Sequence, residues 1–282
     1  APYHLLNAAL NLQGNEDPNL RGRNADCFIF SKHYTGSSHT GFYPTRELEE
    51  KDPHLDLGTA MAISGAAAAP NMGTTTMKPL VFIMTLLNIR LGYWLPNPHR
   101  LLSKSWYTGP FWGVGPFYLL LELFGRLDEK SRYVNLSDGG HIENLGVYEL
   151  LRRRCEVLIV GDGEADPTLT FGSLATVMRY AYIDMGIEID IELDDIRKHS
   201  DGLSRTPAAV GEVRYPGGGT GYLLYIKSSV TGEEVEYIRE YLSQHPEFPH
   251  ESTADQFFDE AQFEAYRALG FHVVDEVFQA NG

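Results

Sequence analysis

The chain has 282 residues, 43% of them hydrophobic and 22% charged, enough for one large α/β domain or two small ones with a sizeable buried core. Its formal charge of -15 argues against a general nucleic-acid binder, because phosphate backbones need a basic surface. Its two cysteines, Cys27 and Cys155, give no disulfide framework, and such usage fits a reducing compartment.

The opening, Ala1-Pro2-Tyr3, lacks the basic stretch and apolar run of a secretory signal, and such a start is expected of a processed chain or an excised piece. No apolar run reaches the ~20 residues of a membrane span. The longest candidate, Pro79 to Leu95, is interrupted by Asn88 and Arg90.

Residues 3 to 14 read as a strand leading into a polar loop, and Cys27 to Phe30 as a short buried strand. Ser31 to Thr45 reads as a turn-rich connection. Asp56 to Gly65 reads as a helix of small and apolar residues that breaks into a loop at Ala66 to Gly73, where Pro70 and Gly73 fall. Leu80, Met84, Leu87 and Leu91 have helical spacing and predict a buried helix over Thr76 to Tyr93. Leu95 to Gly115 reads as a long aromatic loop, either a packed cover or an apolar flap over a cleft. Phe117 to Phe124 reads as a second buried helix.

The centre of the chain is Arg132 to Gly163. A β-rich run, Tyr133 to Leu136, ends in Ser137-Asp138-Gly139-Gly140. A polar loop, a helical segment from Leu145 to Arg154 and a second apolar run, Val157 to Val160, follow, the last ending in Gly161-Asp162-Gly163. This pattern predicts a parallel β-α-β unit with Asp138 and Asp162 at the carboxyl ends of its strands. Further on, Gly172 to Met185 reads as a helix, Glu188 to Leu193 as a half-exposed strand, and Gly211 to Tyr215 with Gly221 to Ser228 as a hairpin. Glu233 to Gln244 reads as a surface helix. Ala254 to Leu269 reads as a final helix, with Thr253 and Gln256 as a capping box and Gly270 at C′. The expected architecture is α/β. It has a mainly parallel sheet flanked by helices in three layers, a small antiparallel hairpin near the C-terminus, and a single domain over 1–282.

Asp138 stands where a general base belongs, and Gly139-Gly140 permits close approach. The rival reading is a turn aspartate bonding its own loop. Asp138, His141 and Glu143 form D-x-x-H-x-E, which admits a metal-dependent hydrolase, although the spacing is not a recognised ligand pattern. No G-x-S-x-G elbow occurs. Ser37 and Ser38 sit in G-S-S-H-T-G, a poor match, and Ser64 sits at a helix end.

The segment Ala62-Ile63-Ser64-Gly65-Ala66-Ala67-Ala68-Ala69-Pro70, followed downstream by Asp138-Gly139-Gly140, resembles the patatin-like phospholipases, a family of lipid acyl hydrolases. The stretch DGGHIENLGVYELLRRR and the tail FPHESTADQFFDEAQFEAYRALG look like bacterial members. The resemblance implies a Ser-Asp dyad in which Asp138 is the catalytic aspartate. Gly139, Gly140 and His141 form its loop, Ser64 and Pro70 line the site, and no cofactor or metal is needed. It also implies that the chain is the later part of such a domain, with the serine on an upstream segment or complementary chain. The expected substrate is a lipid or ester. The expected location is cytoplasmic, or membrane-associated through that upstream region. The alternative is a non-catalytic module that binds a lipid or a partner.

Overall fold

The computed structural model describes residues 2–15, 22–66, 92–103, 126–252 and 257–279, with positions 118, 121 and 124. The chain divides into two compact units, Ala1–Asn144 and Leu145–Gly282.

The first unit is built on six strands: β1 (Leu5–Asn11), β2 (Ala25–Ser31), β3 (Tyr34–Ser37), β4 (Gly41–Pro44), β5 (Tyr93–Pro96) and β6 (Tyr133–Asp138). They run β4-β3-β2-β1-β6-β5, and each neighbouring pair is antiparallel. Antiparallel registers put directly opposed residues on one face. Ala8 opposes both Phe28 and Asp138, and Leu10 opposes both Asp26 and Leu136. One face therefore carries Leu6, Ala8 and Leu10 beside Phe28, Phe30 and Leu136, and these join one apolar core. Helix α1 (Thr45–Lys51) contributes Leu48 to this core, and α2 (Leu57–Ser64) contributes Ala60 and Ile63. The Asp56 side chain caps α2 by accepting the Thr59 N–H. A short helix α3 (Pro98–Leu102) begins with Pro98 behind an Asn97 cap. The other face holds buried Asn11, Asn135 and Ser137.

The second unit holds β7 (Val157–Asp162), β8 (Glu188–Ile191), β9 (Ala208–Arg214) and β10 (Thr220–Lys227), ordered β7-β10-β9-β8. β7 and β10 are parallel; the other pairs are antiparallel. Its helices are α4 (Tyr148–Arg152), α5 (Gly172–Met185), α6 (Glu236–Gln244) and α7 (Glu260–Gln279). Leu158, Val160, Leu223 and Tyr225 pack with Leu174, Val177 and Ala181 of α5. The opposite side of this sheet leaves Val157, Ile159, Val210 and Tyr222 exposed. Ile238 and Tyr241 of α6 pack with Leu269 and Val273 of α7 in a separate cluster. Among the described residues no helix is long and apolar enough to cross a membrane.

This architecture corrects the expectation of a mainly parallel, three-layered sheet. β6 and β7 do not form a parallel β-α-β unit: they lie in different sheets, and β6 is antiparallel to both neighbours. The signal was the alternation in β6. Val134 and Leu136 face the apolar core while Asn135 and Ser137 face the polar side. A parallel strand buried on both faces is apolar throughout. The helix expected over Leu145 to Arg154 shrinks to α4.

The connection Ser31 to Thr45 contains the hairpin β3–β4, and the aromatic loop from Leu95 begins with the end of β5 and with α3. The final helix starts at Glu260 and continues through Gly270 to Gln279, so Gly270 does not end it. Gly in a helix interior costs about 1 kcal/mol, and packing of Val273 against the α6 cluster offsets it. The capping box at Thr253 and Gln256 and nearly all of the helix at Thr76 to Tyr93 lie outside the described residues. Of Phe117 to Phe124, Tyr118 and Leu121 are described as helical.

Candidate functional site

Asp138 is the last residue of β6 and the first of a tight turn. The chain leaves the strand into a single 3-10 turn, Gly139–His141, and the Asp138 side chain caps it by accepting the Gly140 N–H at 2.8 Å. Asp138 is half-buried, and among the described residues its second carboxylate oxygen has no hydrogen-bond partner. The two glycines meet different obstacles. A Cβ on Gly139 would lie 2.7 Å from the Asn7 carbonyl oxygen, and one on Gly140 would press on the Asn144 side-chain oxygen and lie 3.2 Å from Asp138 Oδ1. The Asn7 obstacle is backbone and cannot rotate away. Gly139→Ala is therefore expected to lose about 1–3 kcal/mol of stability in urea denaturation; unchanged stability would show that the turn can shift freely.

Behind the strand lies a polar network. Asn11 Nδ2 donates to Asn135 Oδ1 at 2.8 Å and to Ser137 Oγ at 3.1 Å, and Ser137 Oγ lies 3.0 Å from His141 Nδ1. Adjacent strand residues point to opposite faces. Ser137 thus holds His141 on the polar side while Asp138 belongs to the apolar side. The structure does not join Asp138, His141 and Glu143 into a ligand set. Among the described residues no group of three or more His, Cys, Asp or Glu side chains is placed to hold a metal ion.

Ser64 is the last residue of α2, which packs against β1 and β6, the pair that carries Asp138. The serine is half-buried. Pro70 lies outside the described residues.

A Ser-His-Asp cluster that sequence reasoning missed sits at the β3–β4 turn. Asp26 Oδ2 is 2.7 Å from His39 Nδ1 and accepts from Ser38 Oγ at 2.7 Å, with Ser38 Oγ 3.3 Å from the same His39 nitrogen. A catalytic triad needs the serine on the far nitrogen of the ring, Nε2. Here serine and aspartate crowd Nδ1, so the cluster anchors the hairpin tip rather than activating Ser38. Burial opposes the Asp26 charge, but the His39 and Ser38 hydrogen bonds prevail and hold its carboxyl below the usual range. Only the β2–β3 register and the hairpin reveal this convergence.

In the second unit the other predicted aspartate, Asp162, ends β7 opposite Lys227 at the end of β10. Lys227 Nζ donates to Asp162 Oδ1 at 2.9 Å and to the Glu164 carbonyl at 2.7 Å, and the Tyr225 hydroxyl donates to Asp162 Oδ2. The two ion-pair side chains are 1% and 2% exposed. Burial, and then Asp162, push the Tyr225 phenol far up. All of this holds the strand ends shut, and Asp162 has no open side for a reactant.

His250 lies nearby, buried, with Nδ1 accepting the Asp166 N–H at 3.3 Å. Burial, and then the charges of Lys227 and Lys198, push it down to about 4 from an ordinary 6.5. The native state then binds fewer protons than the unfolded chain between those values. The contribution of this neutral imidazole is complete above about pH 6.5 and is lost as pH falls towards 4, on the order of 2 kcal/mol after solvent screening. Replacing His250 by Phe should flatten that part of the stability–pH curve; an unaltered slope would remove His250 as its source.

No family model matches this chain, and neither a curated protein nor a solved structure matches it. The likeness to patatin-like enzymes thus rests on the two motif segments and the tail alone.

Proposed function

We propose that Asp138 is the acidic half of a Ser-Asp acyl-hydrolase dyad whose serine comes from a segment outside residues 1–282. The observation that carries this reading is the state of the carboxylate. One oxygen is fixed by the Gly140 N–H at 2.8 Å, and the other is unpaired among the described residues, at the end of a strand paired on both sides in the sheet. A general base needs that combination of fixed position and open acceptor. The succession in sequence of Ala62 to Pro70 and Asp138 to Gly140 supports the same assignment.

In the reaction, the serine hydroxyl attacks the ester carbonyl and passes its proton to Asp138. Asp138 then protonates the departing alcohol, leaving an acyl-serine. Water repeats the sequence: Asp138 takes its proton, the new hydroxyl attacks the acyl carbon, and the serine leaves with the proton returned.

The chain contains no G-x-S-x-G elbow. A fluorophosphonate probe, which labels activated serines, is therefore expected to leave residues 1–282 unmodified and to label a serine of the added segment in the longer protein. Labelling of Ser64, Ser37 or Ser38 in the isolated chain would overturn the reading, and Ser64 would then be the nucleophile to test.

A further inference from the structure

We infer that a pocket in the second unit, at the start of α7, binds a small organic ammonium ion, with aromatic rings against its alkyl groups and the Glu251 carboxylate balancing its charge. The pocket lies between Gly163 just after β7, the segment Pro249 to Ser252 and the first turns of α7, and has a volume of 460 Å³. Small-ligand pockets occupy ~300–1,000 Å³. All of these residues belong to the second unit, and none takes part in the proposed acyl transfer.

Three rings line the pocket: Phe258, Phe263 and Tyr266. Phe263 and Tyr266 are three residues apart on α7 and share a face. Phe258 comes from the segment before the helix. Its ring centroid is 6.2 Å from that of Tyr266, with the planes at 43°. A cation placed against both rings thus comes within the ~6 Å of a centroid that cation–π attraction needs. Phe258 and Phe263 are 55% and 61% exposed, so alkyl groups laid on them also remove apolar surface from water.

The chain brings no cation of its own to these rings. Among the described residues, arginines lie over Tyr215, Tyr180 and Phe171, and none lies over Phe258, Phe263 or Tyr266. Arg267, which also lines the pocket, is held by Glu264: its Nε and Nη2 donate to the two carboxylate oxygens at 2.8 and 2.6 Å. Glu251 has no lysine or arginine among the described residues. Its carboxylate accepts from the Tyr241 hydroxyl at 3.2 Å and from the Gln262 amide at 3.4 Å, and its ion-pair partner is His245 at 3.6 Å. The Glu251 N–H donates to the Tyr266 hydroxyl at 3.3 Å, which ties the segment bearing the carboxylate to the ring. At mildly alkaline pH, where a histidine is ordinarily neutral, Glu251, His245, Glu264 and Arg267 together carry a net negative charge.

This lining selects among cations. Hard metal ions need several oxygen ligands, and among the described residues no acidic or histidine cluster is placed to hold one. An ammonium bearing methyl groups matches both halves of the pocket, its alkyl surface against the rings and its charge near Glu251. A zwitterion with a phosphate beside its ammonium fits less well, because Asp259, Glu260 and Glu264 add like charge at the start of α7.

The test is NMR titration of the 282-residue chain at mildly alkaline pH, following its aromatic resonances. Tetramethylammonium is expected to bind at least about tenfold more tightly than neopentyl alcohol, its uncharged isostere, and at least about fivefold more tightly than phosphocholine. Phe263→Leu keeps an apolar side chain at an exposed position and removes one ring. It should weaken tetramethylammonium about fivefold and leave neopentyl alcohol unchanged. Glu251→Gln, which removes the charge and keeps an acceptor, should weaken tetramethylammonium by about the same factor. No binding, equal binding of the ammonium and the alcohol, or phosphocholine bound as tightly as tetramethylammonium would overturn the inference. So would an unchanged ammonium affinity in Phe263→Leu, which lies outside the core and decides the matter even where Glu251→Gln disturbs folding. None of these readouts involves turnover, so they stand or fall separately from the dyad.

Discussion

Asp138→Asn, placed in a protein that also carries the nucleophile segment, is expected to lower ester turnover roughly a hundred- to ten-thousand-fold, the usual contribution of a positioned general base. The substitution is well suited to the question because it leaves the turn alone. Asn keeps a side-chain oxygen that can accept the Gly140 N–H, the bond that Asp138 makes at 2.8 Å. It also fits the same space between β6 and the 3-10 turn. Stability in urea should therefore change by no more than about 1 kcal/mol, the scale of one hydrogen bond. What Asn lacks is the ability to take a proton. The expected pattern is a collapse of kcat, KM within a small factor, and an unchanged unfolding midpoint. Near-normal turnover would reduce Asp138 to a cap. A parallel loss of stability would mean that the turn, not the chemistry, had failed.

The largest expected effect on stability belongs to Lys227→Met. Lys227 and Asp162 are 1% and 2% exposed, so removing the ammonium leaves a buried carboxylate with only neutral donors, the Glu164 N–H at 2.9 Å on one oxygen and the Tyr225 hydroxyl on the other. Breaking a buried pair in this way costs about 3–5 kcal/mol. The Glu164 carbonyl also loses its charged donor. Removing both charges together should cost far less than the sum of the single changes, because the double variant strands no ion. Urea denaturation of Lys227→Met, Asp162→Leu and the double variant closes the cycle. Strict additivity would show that the two ends of β7 and β10 do not depend on one another.

Much of the fold was legible where local periodicity decides it. The α5 helix, the β9–β10 hairpin and the α2 segment follow from spacing and turn chemistry that tertiary packing does not override, whereas the Asp56 cap of α2 appears only in the structure. The sheet was not legible in the same way. Strand, helix, strand was read as a crossover, but nothing local binds Val157 to the sheet that holds Tyr133. The Asn135 and Ser137 positions already marked β6 as two-faced.

Among the site residues, Asp138 with its two glycines was legible because strand end, cap and turn follow one another in sequence from Ser137 to His141. The Asp26, His39 and Ser38 cluster was not. It depends on a hairpin folding back on β2 across a register that no single window of sequence contains.

β6 separates two tasks by parity. Odd positions Asn135 and Ser137 hold the loop in place from behind, through Asn11 and His141. The even position Asp138 presents its carboxylate in front. The rear of the strand is thus mounted independently of position 138, while the turn in front is closed by Asp138 itself through the Gly140 N–H. A replacement at 138 keeps that turn only if, like Asn, it still offers the acceptor.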